Sequence, residues 1–143
     1  MKPLVFLRVA SVLTLIHALL HTIGGVYGSP EPGPQLAAVT AMKANQFLLM
    51  GHTRSYWDFY MGLGLGMSIF LTMDAIVLWV LGSLARSESW RLRPLYAVLA
   101  LGYLVFAVNS CEHFFLAPVI VEILIALCLA AAVFTSKPGT VGV

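Results

Sequence analysis

The stretch Leu15-Ile16-His17-Ala18-Leu19-Leu20-His21-Thr22-Ile23-Gly24-Gly25, LIHALLHTIGG, lies in a largely apolar run from Val9 to Val26. A helix crossing the hydrocarbon needs about 20 mostly apolar residues, because every backbone polar group must be satisfied within the segment. The run is therefore read as part of a membrane span over residues 4–27, with two imidazoles one helical turn apart inside it. It is longer than the roughly 7–15 apolar residues of a cleaved signal peptide, which favours a retained span.

Three more windows meet the same requirement, at residues 56–84, 95–110 and 114–134. The second is long enough to protrude or tilt, and the third has Pro94 placed for its first turn. The composition agrees: 60% of the 143 residues are hydrophobic and 10% charged, against about 25% charged in soluble proteins, and the mean hydropathy is +0.94. The expected fold class is all-α, an integral membrane four-helix bundle. It forms one domain over residues 1–135, with a loose tail at 136–143. A net charge of +2 without a basic stripe excludes nucleic acid as a partner. Cys111 and Cys128 are about 25 Å apart along one helix, which excludes a disulfide between them.

Between the first two spans, Gly28-Ser29-Pro30-Glu31-Pro32-Gly33-Pro34 is a turn-forming segment. Residues 35–50 follow, with Leu36, Val39, Met42 and Leu49 near one helical face. Too polar to span, this stretch is expected to be an interfacial helix on the outer surface, or a lid over a cavity between the spans. Orientation follows from the cations. Lys2, Arg8, Arg86, Arg91, Arg93 and Lys137 fall on one side of an even number of spans, and Lys43 and Arg54 on the other. Both termini are thus expected to be cytoplasmic, in a bacterial inner membrane.

Ionisable groups inside a bilayer are costly and usually face the bundle interior. His17 and His21 share one side of the first span with Thr14, Gly24 and Gly28. Counted from the outer ends of their spans, His21 lies roughly 9 Å deep, Glu122 roughly 12 Å and His17 roughly 15 Å. His52, Asp58 and Tyr60 at the start of the second span, and His113 between the third and fourth, belong to the same outer half. Glu122 is expected to pair with His17 or His21. The histidines read as polar packing, as a ligand-binding or catalytic site, or as metal or haem ligands. The chain has no CxxCH and no second HxxxH, so no metal ligand set and no cofactor are assigned.

Arg54 and Asp58, four residues apart, are expected to form a structural ion pair. Gly24, Gly62 and Gly66 are read as helix-packing positions, the last two as a small-xxx-small pair. Asp74 is either bonded within the bundle or placed at an oligomer interface.

Two segments carry a resemblance to known families. His21-Thr22-Ile23-Gly24-Gly25 and Arg54-Ser55-Tyr56-Trp57-Asp58-Phe59-Tyr60 resemble the H-T-x-G-G and R-S-Y-W-D-F-Y segments of small four-span bacterial membrane proteins to which no activity is attached. The segment from Ile16 to His21 is similar to a His-x-x-x-Glu turn of the emopamil-binding sterol isomerases, with His17 matching and His21 standing where the acid belongs. That likeness implies His and Glu gathered in a helical bundle around a lipid-like substrate.

The function expected from these residues is binding of, or action on, a membrane-soluble small molecule such as a quinone, isoprenoid or sterol-like lipid. The site would comprise His17, His21, His52, Asp58, Tyr60, His113 and Glu122. The alternatives are a structural or accessory subunit, as a homo-oligomer or within a larger membrane complex, and a haem or metal redox protein.

Overall fold

The computed structural model describes residues 2–137. Its elements are α1 (Pro3–Leu20), a π-helical turn (His21–Val26), α2 (Pro34–Ala44), a hairpin of β1 (Gln46–Leu49) and β2 (His52–Ser55), α3 (Tyr56–His113) and α4 (Leu116–Thr135). Four segments are long and apolar enough to cross a membrane: Pro3–Val26, Tyr56–Ser87, Ser89–His113 and Leu116–Thr135. The third is longer than the expected 95–110. Helix extends upstream of Pro94, whose ring is accommodated inside α3 at the cost of one backbone hydrogen bond.

Helical geometry is continuous through α3, yet the chain reverses within it. Tyr103 Oη donates to Asp74 Oδ2 across 29 residues, whereas a straight helix would separate these positions by about 43 Å. The second and third spans are therefore antiparallel neighbours, with Arg86, Arg91 and Arg93 around the turn between them.

The chain forms two compact units: one of the N-terminal residues to His17 together with the residues from Leu71 onward, the other Ala18–Phe70. The first is a four-helix bundle. Its core comprises Leu7 and Ala10 of α1, Leu78, Leu81 and Ala85 of the second span, Tyr96, Ala100 and Tyr103 of the third, and Ile125, Ala126, Leu129 and Ala132 of α4. Within each helix these residues recur every three or four positions, one inward stripe per helix. The outward faces are apolar too, with Val9, Val12, Val98, Leu101, Val105 and Leu127 exposed. In hydrocarbon such faces gain nothing by burial, so van der Waals packing and interhelical hydrogen bonds hold the bundle together.

In the second unit, α2 begins at Pro34 after Gly33, whose φ of 106° suits glycine. It ends at Asn45, which donates its backbone N–H and side-chain Nδ2 to Ala41 O. The expected helix over 35–50 is thus shorter by its last third. Beyond Asn45 the chain pairs as an antiparallel hairpin in which Phe47 opposes Arg54 and Leu49 opposes His52. Its turn residues, Met50 at φ 48° and Gly51 at φ 81°, have the two positive φ values of a type I′ turn. Leu49 is consequently a strand residue rather than part of the helical face with Leu36, Val39 and Met42.

At the C-terminus, Ser136 does not begin a loose tail. It is buried and donates Oγ to Ala132 O at 2.7 Å, closing the last turn of α4. Residues 138–143 of the expected tail lie outside the described residues. Cys111 and Cys128 are both free thiols, and they lie on two helices, α3 and α4, rather than along one as expected.

Candidate functional site: a buried histidine–carboxylate pair

The inward stripe of α1 carries Leu7, Ala10, Ser11, Thr14 and His17, so three polar groups enter the bundle on a face that otherwise packs alanine and leucine. Each finds its partner on a different neighbour. Ser11 Oγ donates to Ala75 O at 2.6 Å. Thr14 Oγ1 donates to Ala10 O at 2.9 Å and lies 3.2 Å from Tyr103 Oη, which itself donates to Asp74. Asp74 is therefore bonded inside the bundle, and the alternative of an oligomer interface is not needed to account for it.

One turn further along α1, His17 meets α4. Its Nε2 is 3.9 Å from Glu122 Oε1, too long for a hydrogen bond but close enough for a Coulombic attraction when both groups are ionised. Ser110 Oγ donates to the same oxygen at 2.9 Å, and the Phe106 ring lies 6.3 Å from the imidazole, centroid to centroid. Glu122 and Ser110 are each 1% exposed and His17 is 8% exposed. The second carboxylate oxygen, Glu122 Oε2, is buried and has no hydrogen-bond partner among the described residues. Leaving such an acceptor unmatched away from water costs about 1–3 kcal/mol, more when it is charged. A donor brought to that oxygen, by a ligand or a water, would recover this energy.

The other residues expected at the site have separate surroundings. The π-helical turn, marked by Tyr27 N donating to Thr22 O, frees the Gly25 carbonyl to accept from Tyr60 Oη at 3.1 Å. His21 Nε2 lies 3.2 Å from Gly64 O. A Cβ on Gly64 would sit 3.0 Å from Val26 Cγ2, so glycine there permits close helix approach. Of the two histidines in LIHALLHTIGG, His17 faces the Glu122 carboxylate and His21 is tied to a backbone carbonyl. His52 is on the exposed hairpin, and His113 is exposed at the end of α3.

Asp58 is not paired with Arg54. Its Oδ2 accepts from Ser55 N at 2.7 Å and Ser55 Oγ at 2.9 Å, while Asp58 N donates to Ser55 Oγ. This is a reciprocal capping box that starts α3, and Arg54 donates to Thr53 O instead. The neighbouring aromatics pack on one another: Phe47 against Tyr56 and Phe59, and Trp57 against Tyr60, with Lys43 Nζ 4.6 Å above the Trp57 ring. The glycine pattern also needs correction. A Cβ at Gly24, Gly62 or Gly66 would meet nothing within 4 Å, so close packing within the chain uses Gly64 rather than these three.

Three residues of the bundle network, Tyr103, Phe106 and Ser110, were not singled out in the sequence. Tyr96, Tyr103 and Ser110 recur every seventh position in an apolar span, which is the spacing of a single helix face. Among the described residues no group of three or more His, Cys, Asp or Glu side chains is placed to hold a metal ion. Comparison of the chain with protein-family models, with curated proteins and with solved structures finds no match.

Proposed function

We propose that this integral membrane protein binds a membrane-soluble small molecule of the quinone, isoprenoid or sterol-like class at the His17–Glu122 pair. The observation that carries this reading is Glu122 Oε2, a buried acceptor without a hydrogen-bond partner among the described residues, beside an imidazole. A hydroxyl-bearing ligand would donate to Oε2, and His17 would stabilise the carboxylate or exchange a proton with the ligand. Phe106 supplies an apolar, aromatic flank for the ring or chain of such a molecule. The resemblance of the His17 segment to the sterol isomerases supports the same ligand class. We further propose, from the distribution of Lys and Arg, that the end holding Lys2 and Lys137 faces the cytoplasm of a bacterium.

Mass spectrometry of lipids extracted from the purified protein tests the proposal. A specific non-phospholipid compound, retained by the parent protein and lost from Glu122→Gln, supports it. Recovery of the same bulk phospholipids from both proteins overturns it.

A role as accessory subunit of a larger assembly is favoured by a different observation. Gly62 and Gly66 form an exposed small-residue face on the second span, where an added Cβ meets nothing. Co-purification of a stoichiometric membrane partner, lost on Gly62→Leu/Gly66→Leu, would establish that role.

A further inference from the structure

The end of the four-helix unit that carries Lys2 and Lys137 forms an open pocket of about 670 Å³ that the His17–Glu122 site does not use. Three cations from three separate parts of the chain line it: Lys2 before α1, Arg86 near the end of the second span, and Lys137 after α4. Ser89 adds a hydroxyl, and Leu4 and Ala85 form an apolar flank. None of the described lining residues is acidic. Converging like charges repel one another, and an anion sitting among them would relieve that repulsion.

Arg8 strengthens the positive field one helical turn deeper. Four residues beyond Leu4, it is held by stacking over the Trp79 ring at 3.4 Å and by donating Nη2 to Ser83 Oγ at 2.8 Å. Gly82 makes room for it, since a Cβ there would lie 3.3 Å from Arg8 Nε. No carboxylate of the described residues lies within ion-pair distance of Arg8, and its Nη1 is buried without a hydrogen-bond partner among them. Among the described residues Arg8 thus has a ring and a hydroxyl for partners but no carboxylate, and it keeps a spare donor.

We propose that this pocket binds the phosphate of an anionic lipid headgroup, with the acyl stems running past Leu4 toward the hydrocarbon. A basic pocket between helix ends at the membrane surface suits an anionic headgroup. Leu4, a partly exposed apolar residue of the lining, favours a lipid over a free phosphate. The site is independent of the proposed ligand at Glu122, and either assignment can fail alone.

Titration of the purified full-length protein with short-chain phosphatidylglycerol, and with phosphatidylcholine of the same chains, tests this. Phosphatidylglycerol is expected to bind more tightly. Lys2→Gln/Arg86→Gln/Lys137→Gln should weaken it by about fivefold per cation, on the order of a hundredfold in all. Arg91→Gln/Arg93→Gln, which removes charge outside the pocket lining, should retain most of the affinity. Lys2→Arg/Lys137→Arg should retain it as well, guarding against loss by misfolding. Equal affinity in the triple variant and the parent overturns the proposal, as does an equal loss in the Arg91/Arg93 variant. Inorganic phosphate binding as tightly as phosphatidylglycerol would assign the pocket to a soluble phosphate and overturn the lipid.

Discussion

His17 on α1 and Glu122 on α4 meet at 3.9 Å inside the bundle, and the carboxylate oxygen turned to the imidazole is the one that Ser110 already satisfies. The other oxygen is left without a donor among the described residues. This asymmetry leaves a buried oxygen open to a further donor, on which the proposed binding rests.

Removing the pair should therefore separate stability from binding. The paired change His17→Leu/Glu122→Leu removes both partners at once and is expected to leave the thermal midpoint in detergent unchanged or raised, while abolishing retention of the proposed small molecule. A large drop in midpoint would show instead that the pair holds the bundle together.

The Tyr103 hydroxyl joins three helices through Thr14 and Asp74. Tyr103→Phe is expected to destabilise by about 1–2 kcal/mol, the upper range for interhelical hydrogen bonds in membrane bundles. A double-mutant cycle of Tyr103→Phe with Asp74→Leu should show coupling of about 0.6–1.7 kcal/mol. Additivity of the two changes would deny the link.

Glycines of the second span should differ sharply in their tolerance. Gly64→Ala drives a methyl against Val26 Cγ2 at 3.0 Å, and the β-branched valine has little rotamer freedom to yield. A loss of about 1–3 kcal/mol is expected. Gly62→Ala and Gly66→Ala meet open space and should be neutral or slightly stabilising for the isolated chain. Unfolding of the three variants in one detergent provides the comparison.

The start of α3 should behave as a cap rather than an ion pair. Ser55→Ala and Asp58→Ala are each expected to cost about 1 kcal/mol and to be strongly non-additive, because each side chain satisfies the other's backbone N–H. Arg54→Gln should change little, and the stability should be insensitive to salt. A loss with Arg54→Gln that salt screens would restore the ion pair.

Orientation can be read with the native thiols. Cys111 is exposed near the end of the third span, away from the end that holds Lys2 and Lys137. With both termini cytoplasmic, a membrane-impermeant maleimide should label Cys111 in intact cells with a permeabilised outer membrane. Labelling only after lysis would invert the topology.

Some features were legible in single residues. Lengths and apolarity of the runs mark all four spans, though the third was expected short, at 95–110 against Ser89–His113, and the cations gather at the end where the pocket joins Lys2, Arg86 and Lys137. The Ser55-x-x-Asp58 box was also written in the sequence, as a hydroxyl and an acid three residues apart before an apolar run. The Arg54–Asp58 spacing masked it by offering a plausible competing pair. The Met50-Gly51 turn was harder to see, because methionine rarely accepts a positive φ.

The choice between His17 and His21 as the partner of Glu122 was not legible at all, and neither was the bond between Tyr103 and Asp74. Crossing a bilayer is a demand on length and apolarity along one helix, so sequence by itself determined the spans and their even number. Which faces meet depends on the rotation and depth of each helix against its neighbours. In spans apolar all round, no amphipathic stripe records that setting. Only tertiary packing and hydrogen bonding decided that the imidazole of His17 faces the carboxylate, while His21, one turn away, is bonded to the backbone at Gly64.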